Sequence, residues 1–229
     1  MNQRLSQIYR MIRPGRGVID VGTDHGYLPE RLAINDYPGN IFASDIREGP
    51  LASAKRTAAQ SGVSDRICFL LSDGLDACPP DAVDTIIIAG MGGDTICGIL
   101  DRAEWCMSPA YRLILQPMSK AEVLRYWLCN NGFRIENECL VDENGTIYQI
   151  LEAVFQDQNE FLTDADLWLG KRGLADQALY QRLIRQEIRR IEKRLSGISA
   201  ATSEPDQRQL NTLQTRLQEL KELRTDDHD

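Results

Sequence analysis

Three aspartates carry the first chemical signal in this chain. Asp20, Asp45 and Asp73 each stand beside a small residue at the end of an apolar run. The first belongs to the stretch Asp20-Val21-Gly22-Thr23-Asp24-His25-Gly26. Gly22 and Gly26 let the backbone approach a ligand closely and permit positive φ. A dinucleotide fingerprint would read GxGxxG and hand a pyrophosphate to a helix N-terminus. Here the middle glycine is missing and acidic Asp24 occupies the turn, where a phosphate is repelled and a cationic sulfonium is not. Asp45, followed by Ile46, closes the run IFASD; an acceptor-only carboxylate there can take both hydroxyls of a ribose. Asp73, ahead of Gly74, can accept from an adenine exocyclic amine while the following N–H meets a ring nitrogen. The set Asp20, Gly22, Gly26, Asp45, Ile46, Asp73, Gly74 and Gly90 describes a site for S-adenosylmethionine (AdoMet). The competing reading is that Asp and Gly favour strand-to-loop transitions in any case.

These residues need a frame that brings them to one edge. The sequence supplies a strand–turn–helix rhythm. Strands are expected at 17–21, 40–44, 66–71, 82–89 and 113–116, the last closed by Pro117. The uninterrupted Ile86-Ile87-Ile88 suits a strand buried on both faces of a parallel sheet. Helices are expected at 27–36, about 50–61 and 119–131, the last stopped by Asn131-Gly132. Strands at 133–141 and 146–155, joined by the turn 142–145, suggest an antiparallel edge. A short amphipathic helix over 2–12, with Leu5, Ile8 and Ile12 on one face, comes first. The fold class is α/β: a Rossmann-like, doubly wound sheet with an antiparallel edge.

After Phe155 the periodicity changes. Ile184, Ile188, Ile191, Leu195 and Ile198 form one heptad seam, and Leu210, Leu213, Leu217 and Leu220 form another. The intervening 199–206, with Pro205, is short enough to turn the chain back into an antiparallel helical hairpin. The expected division is a catalytic domain at 1–160 and a coiled-coil hairpin at 161–229, with 225–229 and His228 a frayed tail.

Composition narrows the class further. Hydrophobic residues make up 42 % of the 229, enough for a packed core. No apolar run of about 18 residues is present, so no spanning helix is expected. Six single cysteines without a CxxC pair, and two histidines, argue against zinc and for a reducing cytosol. Residues 1–17 carry Arg4, Arg10, Arg13 and Arg16 and no carboxylate, and residues 171–194 carry eight basic and three acidic side chains. Two basic segments thus flank an acidic core. Arginines that merely solvate helix faces would give the same pattern.

The stretches DVGTDHGYLP, IIIAGMGGD and LILQPM, in that order and register, resemble the bacterial tRNA (adenine(22)-N1)-methyltransferase family over nearly the whole chain. One departure is Gly26, where that family usually has Ala. The resemblance implies a class I methyltransferase fold, AdoMet as donor, tRNA as partner, and N1 of an adenine in the D-arm as acceptor. The cytoplasmic location expected from the cysteines agrees with this, and the oligomeric state stays open. Adenine N1 has an in-plane lone pair and needs no prior deprotonation, so positioning is the main task. The methylated base becomes cationic, so a nearby carboxylate would stabilise the transition state.

Candidates for the chemical step are Asp24, His25, Met91 and Asp94. Asp24 would supply charge, or only shape the turn. His25 would hold a phosphate or the base, or be structural. Met91 would lie on the adenine face within the loop Gly90–Gly93. Asp94 would accept from an exocyclic amine, or only cap the next helix. Tyr27 would stack on a base or belong to the core. Three rival readings stay open: a class I methyltransferase acting on a small molecule or protein, an NAD(P)-linked oxidoreductase, and a non-enzymatic adaptor.

Overall fold

A computed structural model describes residues 1–171, 176–199 and 207–225. The turn expected at 199–206 falls, from 200 onward, outside the described residues, as does the tail beyond 225. The described elements, in chain order, are α1 (Gln3–Met11), β1 (Gly17–Val21), α2 (Tyr27–Ile34), β2 (Asn40–Asp45), α3 (Glu48–Gln60) and β3 (Cys68–Leu71). They continue with β4 (Thr85–Gly92), α4 (Gly93–Arg102), β5 (Arg112–Ser119), α5 (Ala121–Asn130), β6 (Phe133–Glu143), β7 (Thr146–Phe155), α6 (Asp164–Leu169), α7 (Gln177–Ser199) and α8 (Gln207–Thr225).

The seven strands form one sheet in the order β3-β2-β1-β4-β5-β7-β6. β1 to β5 pair in parallel, and β7 runs antiparallel between β5 and β6. Strand order reverses between β1 and β4, and in such sheets ligands bind outside the carboxyl ends of the strands at that switch point. Ile86, Ile87 and Ile88 have no solvent exposure, as the apolar run requires. Ile86 and Ile88 belong to the core on one sheet face and Ile87 to the core on the other.

Pro117 does not close β5. The strand runs on to Ser119, and its pairing with β4 shifts register at Met91 and again at Gly92. A proline is tolerated there because the ladder is already irregular. The fourth strand begins later than expected because Pro80–Ala82 forms a 3₁₀ turn. The helix after β1 stops at Ile34, two residues short of expectation. Helix α6 was not anticipated. Its signature, Thr163 with Asp166 three residues on, is a complete capping box.

Both seams are buried where they meet. Ile184, Ile188, Ile191, Leu213 and Leu220 form a core with Tyr180, Leu183 and Ile147 of β7, and Leu195, Ile198 and Leu217 pack around it. The hairpin helices therefore rest on the sheet edge as well as on each other. Gln186 fastens α7 to β7, accepting from the Ile147 N–H at 2.8 Å and donating to its carbonyl at 3.0 Å. Arg182 bonds Asp142 at 2.7 Å and holds that carboxyl below its ordinary range.

The cysteines are unbridged. Burial pushes the Cys78, Cys97 and Cys106 thiols up to about 12 and that of Cys129 to about 11, so all four act as small apolar side chains. No helix among the described residues is long and apolar enough to cross a membrane.

Candidate active site

The switch point opens into two adjoining cavities. The larger, about 600 Å³, is lined by Asp45, Ile46, Asp73, Gly74, Met91 and Arg102 among others. The smaller, about 220 Å³, is lined by Arg4, Asp20, Thr23, His25 and Tyr27 among others. Gly22, Asp24, Ala89 and Gly90 line both and form the waist between them. Strand ends separated by dozens of residues thus converge at one sheet edge.

Gly22 shows why the waist needs glycine. Its φ is +71°, and an added Cβ would lie 2.3 Å from the Met91 methyl. Met91 therefore backs the turn after β1 and reaches the larger cavity from beneath it. Gly26 lines neither cavity; it caps α2 in the left-handed region at φ +69°. A Cβ there would lie 2.7 Å from that of Ala54, so the departure from alanine is locally coupled to α3.

Asp45 is buried, at 6 % exposure. Its Oδ1 accepts from the Arg47 N–H at 3.0 Å and its Oδ2 from the Asp24 N–H at 3.4 Å. Each oxygen keeps a free lone pair, which is what a vicinal diol needs. Asp73 is more exposed and is held by Arg102 at 2.9 Å. Arg102, on α4, was not foreseen; nothing in its sequence neighbourhood announces a partner 29 residues upstream.

Asp20 is buried against Thr23, whose hydroxyl donates to it at 2.7 Å. Desolvation pushes its carboxyl up to about 7; the Thr23 bond opposes this and the nearby Asp45 charge adds to it. A carboxyl with a folded pKa above its unfolded value loses stability as pH rises between the two values. The apo protein should therefore lose stability between about pH 4 and 7 through this group. Asp20→Asn is expected to flatten that decline, and thermal melts of both proteins from pH 5 to 8 measure it. Parallel pH profiles would show that Asp20 does not titrate in this window.

Asp24 adopts φ +52°, and its carboxylate accepts no backbone N–H among the described residues. The turn-shaping alternative therefore rests on conformation alone. His25 Nε2 lies 3.8 Å from it, and the imidazole stacks on Tyr27 with ring centroids 5.5 Å apart. Tyr27 is 46 % exposed and so is no core residue. Asp94 lines neither cavity; it is ion-paired with Lys120 across the β5–α5 connection. Nor does it cap α4, whose N-cap is Gly92.

Sequence reasoning also passed over Gln116, although LILQPM contains it. It is fully buried, accepts from the Gly90 N–H at 3.2 Å and donates to the Pro117 carbonyl at 2.8 Å. The Arg4 guanidinium donates to the same side-chain oxygen. A third cavity of about 370 Å³ lies between the end of β5 and the hairpin, lined by Lys120, Tyr148, Trp168, Arg190 and Arg194 among others.

A parallel sheet with this strand order, an antiparallel β7 and acids at the ends of β1, β2 and β3 defines a class I, Rossmann-like methyltransferase. Residues 1–151 match the family described as methyltransferase domain. The chain is 31 % identical to the tRNA (adenine(22)-N(1))-methyltransferase of Bacillus subtilis, over 97 % of this chain and 96 % of that one. It belongs to the tRNA (adenine(22)-N1)-methyltransferase family. The crystal structure of the B. subtilis m1A22 tRNA methyltransferase is 30 % identical, covers 98 % of both chains and superposes with a TM-score of 0.82. A Streptococcus pneumoniae relative solved in complex with S-adenosyl-L-methionine is 28 % identical, covers 98 % of this chain and 99 % of its own, and gives 0.83.

Proposed function

We propose that this protein methylates N1 of adenine 22 in tRNA, with AdoMet as the methyl donor. The end-to-end match with the B. subtilis enzyme, through the hairpin as well as the sheet, carries this reading. AdoMet supplies a methyl group on a cationic sulfur. The cavities fit such a cofactor: one lies beside acids suited to a nucleoside, and the other beside charges of both signs. Asp45 takes the ribose hydroxyls on its two free lone pairs, and Ile46 and Gly74 flank the adenine. Asp73, steadied by Arg102, accepts from the exocyclic amine.

At the waist, Asp24 places negative charge where the methyl group transfers and the target base becomes cationic. Gly90 keeps the wall low enough for a flat base to enter, and the base must leave its stack for N1 to be reached. His25 and Tyr27 offer a stacked pair at the mouth. Asp94 acts at one remove, by holding Lys120. A tRNA substrate supports a cytoplasmic site of action.

Residues 1–160 would then carry the methyl transfer and 161–229 the docking of tRNA. On α7, Arg185, Arg189, Lys193 and Arg194 are exposed and pair with no carboxylate among the described residues. Of these, Arg194 lines the third cavity together with Arg190, Tyr148 and Trp168, and the other three lie elsewhere on α7. Removing 161–229 outright would also strip contacts from buried Arg125, so charge reversal is the cleaner probe. Arg185→Glu with Arg189→Glu and Lys193→Glu is expected to weaken tRNA binding at least tenfold. It should also reduce the slope of log affinity against log salt by about two to three, with AdoMet affinity unchanged. Filter binding across a salt series measures this, and an unaltered slope would remove α7 from the interface.

The test of the function itself is mass spectrometry of tRNA digested after incubation with enzyme and AdoMet. The expected product is 1-methyladenosine in the fragment containing position 22. Absence of that product, or methylation confined to protein or small molecules, would overturn the assignment.

A further inference from the structure

The third cavity, about 370 Å³, lies where the hairpin meets the sheet, and both its size and its place suit a small-ligand site. Tyr148 and Trp168 give it rings, and the Arg216 guanidinium rests 3.2 Å from the Trp168 ring centroid. Its charged groups differ in burial. Arg194 is exposed and pairs with no carboxylate among the described residues. Glu187 is only 6 % exposed and still lines the cavity. Its Oε1 accepts from the Arg190 Nη1 group at 2.7 Å, and Arg190 is itself exposed to solvent. Desolvation holds the Glu187 carboxyl above its ordinary range; Arg190 opposes this and the nearby Glu122 charge adds to it. A buried carboxylate compensated in this partial way gains from donors that enter the cavity.

Rings beside a buried carboxylate and an unpaired cation complement an unstacked nucleotide, read on its Watson–Crick edge. The carboxylate selects among the bases. Guanine offers two adjacent donors, N1–H and the 2-amino group, one for each oxygen. Adenine and cytosine set a ring acceptor beside their amino group, and uracil flanks its N3–H with two carbonyls; each would turn a lone pair toward Glu187. We propose that the third cavity is a second nucleotide site, which takes an unstacked guanine of the tRNA substrate on Glu187 and its phosphate on Arg194. This rests on tRNA being the substrate. The cavity's position favours the tRNA over a free nucleotide. Tyr148 lies 5.5 Å, ring centroid to guanidinium carbon, from Arg4 of the smaller cavity, and Gln116, which bonds Gly90 at the waist, runs directly into Pro117–Lys120 of the third cavity's wall. A guanine held there would fix the hairpin and the target base within one substrate molecule.

The test is filter binding of wild type, Glu187→Gln and Arg194→Gln to tRNA in which each guanine outside the helical stems is replaced in turn by inosine, which lacks only the 2-amino group. At one position inosine is expected to weaken wild-type binding roughly 10- to 100-fold, the range for a lost hydrogen bond to a charged group. Glu187→Gln should weaken unmodified tRNA by a similar factor and bring guanosine and inosine at that position within about twofold of each other. Arg194→Gln should weaken every transcript alike and lower the salt slope by about one. AdoMet affinity should stay within about twofold in both variants, which also shows that they are folded. The proposal is overturned if no inosine weakens wild-type binding, a result that needs no variant to fold, or if Glu187→Gln keeps the wild-type discrimination. Tight binding of guanosine monophosphate to wild type, with no tRNA guanine coupled to Glu187, would assign the cavity to a free nucleotide and also overturn it. Wild type binding none of the transcripts would instead refute the tRNA reading itself.

Discussion

Asp24→Asn is expected to lower single-turnover methylation of tRNA by about 10²–10³-fold, with a much smaller loss of AdoMet affinity. The substitution isolates charge from shape. Asp24 sits at φ +52°, a conformation that Asn adopts as readily as Asp. Its side chain is 67 % exposed, and the structure shows no backbone amide for the amide oxygen to satisfy in its place. What Asn removes is the negative charge at the waist. The adeninium cation forms only during reaction, so the charge acts mainly on the rate.

The size of the effect also reports on water. Coulomb interactions at a few ångströms are worth about 1 kcal/mol in bulk water and several times that in a shielded site. A hundredfold loss therefore requires that the bound base and cofactor exclude solvent from Asp24. A rate within a few-fold of wild type, for a variant with an unchanged melting profile, would remove Asp24 from the chemical step. Positioning by the Gly90–Gly93 segment would then be the main account.

Arg125→Ala should destabilise the fold by about 3–5 kcal/mol. Arg125 is 1 % exposed, yet it is an arginine on α5. Its Nε donates to Glu138 at 2.7 Å, its Nη1 group to the Leu167 carbonyl at 2.9 Å and its Nη2 group to Gln149 at 2.5 Å. Glu138, also buried, accepts in addition from the Lys171 N–H at 2.7 Å. One ion pair thus joins α5, β6, β7 and the chain leading to the hairpin. Truncation to alanine leaves a buried carboxylate without its counter-charge and several acceptors unpaired. Urea denaturation of both proteins measures the loss.

Adding Glu138→Leu should recover part of it, because an apolar pair leaves no buried charge behind. A loss below about 1 kcal/mol would mean that the hairpin is held chiefly by its apolar contacts. Those are the contacts of the buried cluster that includes Ile147, Leu183 and Ile184, beside which the Arg216 guanidinium makes a cation–π contact with the Trp168 ring at 3.2 Å.

The sequence by itself determined the elements whose signal is local. Runs of β-branched residues, glycine turns and heptad seams depend on neighbours one to four positions away. The alternating elements, the buried Ile86–Ile88 strand and the paired hairpin helices follow from them. The acids at the ends of β1, β2 and β3 were legible because a parallel sheet sends every strand end to the same edge. Their names and spacing sufficed to expect a nucleoside site at that edge.

Side-chain pairing between distant elements was decided only by the tertiary structure. Arg4 looked like one solvated arginine among four until α1 crossed the sheet edge and brought it to Gln116 and Gly90. Arg102 and Asp73, and Asp94 and Lys120, are further cases; in each pair an expected ligand contact competes with an ion pair formed by another strand or helix. The unexpected continuation of β5 past Pro117 has the same origin, since strand length there is set by the irregular ladder with β4. A side chain's reach is a few ångströms, and the sequence gives no measure of which distant residue will fall within it.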